Sequence, residues 1–252
     1  MCYDIKASLE AQLTRATREQ DYQAIDEILE KLIPLTDLPI HHTSGFNHPE
    51  VLIYTDRSPE FPEVATSGLV PHWVQSEQQQ KKLWNATLNA RSETIFEKPS
   101  YKEAANNNRC ILYIDGFYEH HHYEGKTYPF YIHRKGKKPM AIAGLWSDWH
   151  NDEGGILTSF TIVTAKGNSF MTKIHNSPKL KEARMPLLLT LEAEEYWLNQ
   201  KESNQTQIII EELLTNNNIE LESHTVSRLR GKEYIGNVEQ ITNPIAYKEL
   251  IF

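Results

Sequence analysis

The middle of the chain contains a series of short apolar runs separated by turn-forming residues, and this series constrains the fold more than any other feature. The runs are Ile111–Tyr118, Tyr128–His133, Ala141–Trp146 and Ser159–Thr164, and a further one lies earlier at Val51–Thr55. They are rich in β-branched and aromatic residues, which favour strands. The segments between them contain glycine and polar residues that favour turns. The sequence therefore predicts several short strands rather than one long element.

Helical patterns flank these strands. From Ile5 to about Ile33 apolar residues recur at helical spacing, and Pro34 ends the pattern, which predicts two helices. Helical patterns return at Leu191–Asn199 and Gln207–Leu214. Strands in the middle with helices at both ends are typical of the α+β class. We therefore predict one α+β domain over residues 1–252, built around an antiparallel, barrel-like β-sheet with flanking helices.

The composition is that of an ordinary globular protein, with 39% hydrophobic and 24% charged residues. No apolar run approaches the roughly 18 residues that a membrane span needs, so a membrane is not an expected partner. The two cysteines, Cys2 and Cys110, lie far apart and make a poor disulfide framework, which favours a reducing cytoplasm. We expect a cytoplasmic monomer.

The net charge of −8 is unevenly distributed along the chain. Residues 67–184 hold 16 Lys and Arg against 11 Asp and Glu, whereas residues 1–66 hold 5 against 12 and residues 185–252 hold 5 against 11. The excess of basic residues in the segment 67–184 would allow the protein to form one positively charged groove that binds nucleic acid. The alternative is that the three blocks mix in space and the asymmetry has no functional meaning.

The second residue carries unusual chemistry. Once Met1 is removed, Cys2 has a free α-amine and a thiol on adjacent carbons, a pair that the internal Cys110 lacks. Such an amine attacks an aldehyde to give a Schiff base, and the thiol then closes onto the imine carbon to form a five-membered thiazolidine. Cys2 is therefore a candidate nucleophile for aldehydes.

Four polar clusters adjoin the predicted strands. They are NARSET at 89–94, DGFYEH at 115–120, FTIVT at 160–164 and Ile-His at 174–175. Because side chains alternate along a strand, one of Tyr118 and Glu119 is predicted to face inward. A glutamate held near apolar walls can serve as a general acid or base. Each cluster also has a purely structural interpretation, as a turn cap, a surface ion pair or a satisfied loop histidine.

Together with Cys2, these clusters resemble the SRAP family (SOS-response-associated peptidase, also called abasic-site processing proteins). The resemblance covers residues 2–189 and leaves about 190–252 as a C-terminal extension. It rests on motifs in family order: Met-Cys at the start, SGLVPHW (67–73), NARSET (89–94), KPSYK (98–102), RCILYIDGFYE (109–119), YPFYI (128–132), AGLW (143–146), FTIVT (160–164), and IH (174–175) with RMPLLL (184–189).

The resemblance implies an SRAP-like fold and a function in the DNA damage response, without a cofactor or metal. The protein is expected to bind single-stranded DNA that contains an abasic site, and to capture and shield the ring-opened sugar as a thiazolidine. The implied catalytic residues are Cys2 as the nucleophile, Asn89 as a hydrogen-bonding group for the amine or sugar, Glu119 as the proton shuttle, Thr164 as the residue that orients Glu119, and His175 as a second acid or base.

The resemblance also implies DNA contacts. Arg91 is expected to pair with a flanking phosphate, for which a guanidinium is suited. Trp73 is expected either to stack on a base or to pack in the core. Lys98 and Arg184 are the other predicted contacts.

The sequence departs from the family pattern at several positions. Asp4 stands where the family commonly has an arginine, and Ser67 and His120 stand where it commonly has tryptophan. Residues 176–183, which include two lysines, separate His175 from the RMP motif. This insertion is either a loop that lies along DNA or a solvent loop.

Three other functions compete with this one. In the first, Cys2 acts as an N-terminal nucleophile of a cysteine hydrolase or peptidase that cleaves amides, with its own amine as the base. Self-processing peptidase and lyase-type activity with Cys2 as nucleophile are, by contrast, expected of the abasic-site protein itself. The second is a metal site at His41-His42 or 120–122, which is disfavoured because adjacent histidines on a strand point to opposite faces. The third is a purely structural or partner-binding role, which leaves the placement of Cys2 and Glu119 unexplained.

Overall fold

The computed structural model describes residues 3–199, 203–216 and 219–250. In these ranges the strands are β1 (Asp4–Ala7), β2 (Ile40–Ser44), β3 (Glu50–Thr55), β4 (Glu63–Ser67), β5 (Asn89–Arg91), β6 (Arg109–Ile114), β7 (Gly116–Tyr123), β8 (Lys126–Arg134), β9 (Met140–His150), β10 (Ile156–Lys166), β11 (Arg184–Pro186), β12 (Leu188–Leu189) and β13 (Leu221–Thr225). The helices are α1 (Leu9–Gln12), α2 (Thr14–Arg18), α3 (Tyr22–Glu27), α4 (Glu77–Trp84), α5 (Lys102–Asn107), α6 (Ser169–Ile174), α7 (Leu191–Asn199) and α8 (Ser203–Asn216).

Five of the strands close into a barrel. β4, β3, β6 and β9 are neighbours in that order, and β10 pairs with both β9 and β4, which completes the ring. All of these contacts are antiparallel except the short parallel pairing of β10 with β4. The short strands β5, β11 and β12 extend the edges of β10 and β9. The predicted α+β fold with an antiparallel, barrel-like sheet is confirmed.

A second, fully antiparallel sheet packs against the barrel. Its strand order is β13–β8–β7–β1–β2. β1 lies inside this sheet, because Asp4 pairs with Ser44 of β2 and with Tyr118 of β7. A two-residue turn joins β7 to β8 through Glu124 and Gly125, both with positive φ, and this is a geometry that suits a tight hairpin.

Both faces of the barrel strands are buried. On β6, Cys110, Leu112 and Ile114 belong to the core between the barrel and the second sheet. Ile111 and Tyr113 alternate with them and pack in another core against helices α5, α7 and α8. Burial on both faces explains why the sequence of β6 is an almost continuous apolar run.

The start of the chain differs from the predicted helix. Residues 4–7 form β1 because strands on both sides satisfy their backbone groups and because Ile5 and Ala7 pack in the core. Such tertiary pairing overrides a helical spacing of apolar residues. The helical part begins at Leu9 and continues through α1, α2 and α3 to a 3₁₀ turn at Ile33–Leu35.

The predicted run Ile111–Tyr118 is two strands rather than one. Asp115 lies between β6 and β7, and its carboxylate accepts hydrogen bonds from the backbone N–H (2.5 Å) and the hydroxyl (2.9 Å) of Ser8. Its own N–H donates to the carbonyl of Lys6 at 3.0 Å. At this point the chain leaves the barrel and enters the second sheet, so one apolar run supplies a strand to each.

The other predicted strands and helices are confirmed, with longer bounds in most cases. The predicted strands at 51–55, 128–133, 141–146 and 159–164 lie within β3, β8, β9 and β10, and the later predicted helices match α7 and α8. None of the helices in the described ranges is long and apolar enough to span a membrane.

The C-terminal residues are continuous with the domain. β13 pairs with β8 over Leu221–Thr225, and the backbone N–H of Val226 donates to Pro129 O at 3.0 Å. Val226 and Leu229 are buried with Tyr118 and other side chains on the outer face of the second sheet. Residues 226–241 therefore cover part of the face of this sheet that points away from the barrel, whereas Tyr247 and Leu250 pack against the main core.

Candidate functional site

A cleft of about 590 Å³ opens on the second sheet, between β7, the loop after α6 and the C-terminal segment. It brings together carboxylates, histidines and cationic side chains from four separate parts of the chain. The ionisable side chains that line it are Asp4, Glu119, His120, His122, His175, Lys179, Arg228 and Arg230, and Tyr3 is also part of the wall. This concentration of ionisable groups in a concave site makes it the candidate functional site.

Glu119 lies in the middle of β7 and is 4% exposed. It shares a strand face with Phe117, which packs in the main core, whereas Tyr118 packs under the C-terminal segment. The sequence predicts that one of Tyr118 and Glu119 faces inward; both are buried, because the second sheet is covered on both sides. A carboxylate in such a place needs polar partners.

His175 is a buried partner of Glu119. Its Nε2 lies 3.4 Å from Glu119 Oε2, and both side chains are about 5% exposed or less. The other ring nitrogen, Nδ1, lies 3.0 Å from the carbonyl oxygen and 3.3 Å from the backbone nitrogen of Arg184. These backbone contacts fix the ring so that Nε2 faces the carboxylate. A buried carboxylate and a buried imidazole, the two groups most used in acid–base catalysis, are thereby held close to hydrogen-bonding distance.

The loop after His175 is tied to β7. The side chain of Asn176 accepts from His122 N–H at 2.7 Å and donates to His122 O at 3.0 Å. His121 Nδ1 lies 2.9 Å from the carbonyl oxygen of Lys173 at the end of α6. The insertion 176–183 therefore starts beside β7, and Lys179 from it lines the cleft.

Arg184 and Glu93 form a bidentate ion pair behind His175. The Arg184 guanidinium donates to the two Glu93 oxygens at 2.6 and 2.9 Å and to Thr164 O at 2.7 Å. Burial opposes ionisation of Glu93, but the hydrogen bonds from Arg184 outweigh it and lower the Glu93 pKa. Because Arg184 is 2% exposed, its placement favours a structural role over the predicted DNA contact.

Thr164 and Asn89 lie on neighbouring strands beside this pair. The Thr164 hydroxyl donates to Ala90 O at 3.4 Å. Both polar side-chain atoms of Asn89 are buried, and neither has a hydrogen-bond partner in the described part of the chain. A buried amide without a partner is costly, so a ligand or a water is needed to satisfy it. Asn89 therefore remains a candidate for binding the substrate.

The NARSET segment lies close to the start of the chain. Gly45 N–H donates to Tyr3 O at 2.7 Å. A Cβ placed on Gly45 would lie 3.2 Å from Tyr3 Cβ and 3.3 Å from a methyl carbon of Leu88. Tyr3 directly follows Cys2, and Leu88 directly precedes Asn89. The two residues near Gly45 are therefore sequence neighbours of two predicted catalytic residues.

Three predicted DNA contacts lie outside the lining of this cleft. Trp73 is 37% exposed and donates from Nε1 to Pro99 O at 3.3 Å, in a separate groove with His72. Lys98 and Arg91 are both exposed. Their contact with DNA stays a prediction.

The predicted nucleophile Cys2 lies outside the described residues. Cys110 is completely buried, and its burial raises the pKa of the thiol well above the ordinary value. A buried, protonated thiol is inert. In the ranges that the structure describes, His, Cys, Asp and Glu form no group of three or more that could hold a metal ion.

His42 and His120 are expected to destabilise the protein as the pH falls from about 6.5 to about 4. Burial is the main cause that lowers the pKa of each to about 4; Arg230 adds to it, and Glu119 opposes it at His120. In the unfolded chain the pKa is about 6.5, so in this window the unfolded state binds protons that the folded state does not. The free energy of unfolding, measured with urea, should therefore be lower at pH 4.5 than at pH 7. The variant His120→Gln should lose less stability between these pH values, and an equal loss would contradict the assignment.

Sequence reasoning missed the two arginines of the cleft. Arg228 and Arg230 lie within residues 185–252, which hold 5 Lys and Arg against 11 Asp and Glu. The net charge of that segment is negative and therefore hides them. The sequence signal that could have indicated them is the motif Arg-Leu-Arg at 228–230, in which two cationic residues flank an apolar one.

Comparison with known proteins identifies the family. The profile of the family described as SOS response associated peptidase (SRAP) matches residues 14–232. The match extends past residue 189, where the resemblance in motifs ends, and includes β13 and both arginines of the cleft.

Several relatives and solved structures are similar to the chain. The abasic site processing protein YoqW of Bacillus subtilis is 39% identical over 138 residues, which are 54% of this chain and 57% of YoqW. The abasic site processing protein YedK of Escherichia coli is 27% identical over 192 residues, which are 75% of this chain and 78% of YedK. The match with YoqW thus spans little more than half of that protein.

A crystal structure of a protein from Bacteroides thetaiotaomicron superposes with a TM-score of 0.78 at 29% identity, covering 97% of this chain and 100% of that one. This similarity extends over both the barrel and the second sheet. Since the family profile also matches most of the sequence, the chain belongs to the SRAP family.

Proposed function

We propose that the protein processes abasic sites in single-stranded DNA by forming a covalent thiazolidine between Cys2 and the ring-opened sugar. The observation that carries this proposal is the buried pair of Glu119 and His175 in a cleft whose wall includes Tyr3 and Asp4. Relatives named abasic site processing proteins support the substrate class.

The two residues that follow Cys2 in the sequence, Tyr3 and Asp4, line the cleft. Asp4 is paired on both sides within the second sheet, and Tyr3 is hydrogen-bonded through its carbonyl to Gly45. Cys2 directly precedes Tyr3 in the sequence. We therefore infer that its amine and thiol act on a sugar bound beside Glu119.

The proposed reaction balances without a cofactor. In the closed sugar, a proton leaves the anomeric hydroxyl, the bond between C1′ and the ring oxygen breaks, and that oxygen is protonated, which yields the aldehyde. The Cys2 amine adds to C1′, the resulting carbinolamine loses water to give an imine, and the thiol sulfur adds to the imine carbon. The net products are a thiazolidine and one water molecule, with no change of oxidation state.

Glu119 and His175 are placed to move the protons of these steps. Glu119 would protonate the ring oxygen and the departing hydroxyl group, and His175 would act as the second acid or base. Asn89 would bind the amine or the sugar with its unpartnered amide. Thr164, on β10 next to the strand β5 that contains Asn89, would orient Glu119. Because Cys110 is buried, Cys2 is the thiol of this chain that remains for covalent chemistry.

Intact-mass spectrometry of the purified protein tests the proposal. The protein should first show the mass of a chain without Met1, since only a free amine beside the thiol supports the ring closure. After incubation with an abasic oligonucleotide, it should gain the mass of that oligonucleotide less one water, in a one-to-one adduct. A protein that retains Met1 and still forms the adduct would contradict the mechanism, and repeated turnover on an amide without any adduct would favour the hydrolase alternative.

A further inference from the structure

The C-terminal segment contributes a cationic wall to the cleft. Val226 and Leu229 are buried against the second sheet, with 0% and 2% of their surface exposed. Arg228 and Arg230 lie on either side of Leu229, and both line the cleft. The buried apolar residues thus fix the backbone, and the two guanidinium groups are held at the cleft.

Arg228 is held by aromatic rings. Its guanidinium carbon lies 5.3 Å from the ring centre of Tyr128 and 5.1 Å from that of Tyr247. It also donates a hydrogen bond to the carbonyl oxygen of Thr127. These contacts order the side chain while leaving about 30% of it exposed. A guanidinium ordered in advance loses little entropy on binding an anion.

Arg230 is held against the residues that follow Cys2. Its Nη2 lies 3.0 and 3.2 Å from the two oxygens of Asp4, and its guanidinium lies 5.6 Å from the ring centre of Tyr3. Burial of the guanidinium works against its charge, but the interaction with Asp4 outweighs burial and raises the Arg230 pKa. Both bonds to Asp4 use one nitrogen of the guanidinium, which has five N–H donors in all.

Arg230 and Asp4 differ in how much of each side chain is exposed. The side chain of Arg230 is 54% exposed, whereas that of Asp4 is 3% exposed. Asp4 therefore orients Arg230 from beneath, and the guanidinium is open to a ligand in the cleft. Lys179, from the insertion after His175, adds a third cation to the same lining. The lining thus holds three cations against the carboxylates Asp4 and Glu119, and Arg228 has a further partner in the exposed Glu233, 3.7 Å away. Arg230, with more than half of its side chain exposed, is therefore the cation most open to an anionic ligand.

We infer that Arg230 binds the backbone phosphate next to the reacting sugar, with Arg228 binding along the same strand. The wall formed by residues 226–230 would thus set the position of the DNA over Glu119 and Cys2. This inference rests on the proposed function, because it takes single-stranded DNA as the ligand. Arg230 would act as a binding and positioning residue, because it holds phosphate and transfers no proton.

Single-residue variants test the inference. Arg230→Gln removes the charge but keeps a polar side chain, and Arg134→Gln is the matched control. Arg134 is exposed and lies seven residues from Thr127 along β8, which is about 23 Å from the cleft end of that strand. Affinity for an unmodified single-stranded oligonucleotide is measured at several salt concentrations. For Arg230→Gln the affinity should fall about tenfold, and the slope of log K against log salt should decrease by about 0.7, which is one phosphate on a single strand.

Two further measurements distinguish phosphate binding by Arg230 from a purely structural role. Arg230→Lys retains the charge and should restore most of the salt slope, which a merely structural role would not require. With free 2-deoxyribose, which has no phosphate, Arg230→Gln should retain a larger share of the wild-type rate than it does with the abasic oligonucleotide. If Arg230→Gln binds DNA with the affinity and slope of Arg134→Gln while the wild type forms the abasic adduct, the inference is wrong and the proposed function stands. If the wild type forms no adduct but its DNA binding depends on Arg230, the proposed function fails and the phosphate contact is supported.

Discussion

Cys2→Ala is expected to abolish the covalent adduct with abasic single-stranded DNA completely. The thiazolidine needs the thiol as well as the amine, and the other thiol, on Cys110, is buried with a raised pKa. Non-covalent binding of intact single strands should be nearly unchanged, because the proposed phosphate contacts belong to other residues. The measurement is denaturing gel electrophoresis or intact mass after incubation with an abasic oligonucleotide.

Cys2→Ser is the matched control for this prediction. It keeps the α-amine and so can still form a Schiff base, which borohydride reduction should trap. The adduct of the wild type, in contrast, should survive without reduction because the ring is closed. A stable adduct of undiminished yield from Cys2→Ala, formed without a reductant, would count decisively against Cys2 as the nucleophile.

Glu119→Gln is expected to slow adduct formation by a factor of about 10² to 10⁴, the usual contribution of a general acid or base. Glutamine fills the same buried position on β7 but cannot give or take a proton at this step. Affinity for intact single-stranded DNA should change little, because Glu119 is 4% exposed and is assigned no phosphate contact in the proposed function. The measurement is the rate of crosslinking as a function of DNA concentration, which separates the saturating rate from the apparent affinity.

Glu124→Gln provides the control, since Glu124 is an exposed carboxylate in the turn of the same hairpin. It should crosslink at the rate of the wild type. His175→Gln should also lower the saturating rate, because Nε2 lies 3.4 Å from Glu119. A Glu119→Gln variant with an unchanged saturating rate and a weaker affinity would reassign Glu119 from proton transfer to binding.

The predictions from sequence succeeded where the signal is local. Turn residues and β-branched runs marked β3, β8, β9 and β10, because strand preference and turn geometry depend on neighbours in the chain. Glu119 and His175 were predicted as separate residues of two motifs, and the structure places them together. Their meeting depends on α6 packing beside β7, which no periodicity of the sequence reports.

The predictions failed where a distant segment decides the outcome. Residues 4–7 have a helical spacing but form a strand, because β2 and β7 offer them hydrogen-bond partners on both sides. Arg228 and Arg230 were not predicted as site residues, because residues 185–252 are acidic overall. Their place at the cleft depends on the pairing of β13 with β8. The cationic side chains of the cleft therefore do not come from the basic middle of the sequence alone.

The non-local pairing of β1 has a consequence for the order of folding. Asp4 is held by Ser44, Tyr118 and Arg230, and the last of these contacts joins residues 226 positions apart. Contacts across such separations form late, because closing a long loop costs entropy before the contact repays it. During synthesis, β1 can pair on both sides once β7 has left the ribosome, whereas its contact with Arg230 must wait for nearly the whole chain. The cleft is therefore expected to be completed last, because its wall at residues 226–230 is made after the strands of both sheets.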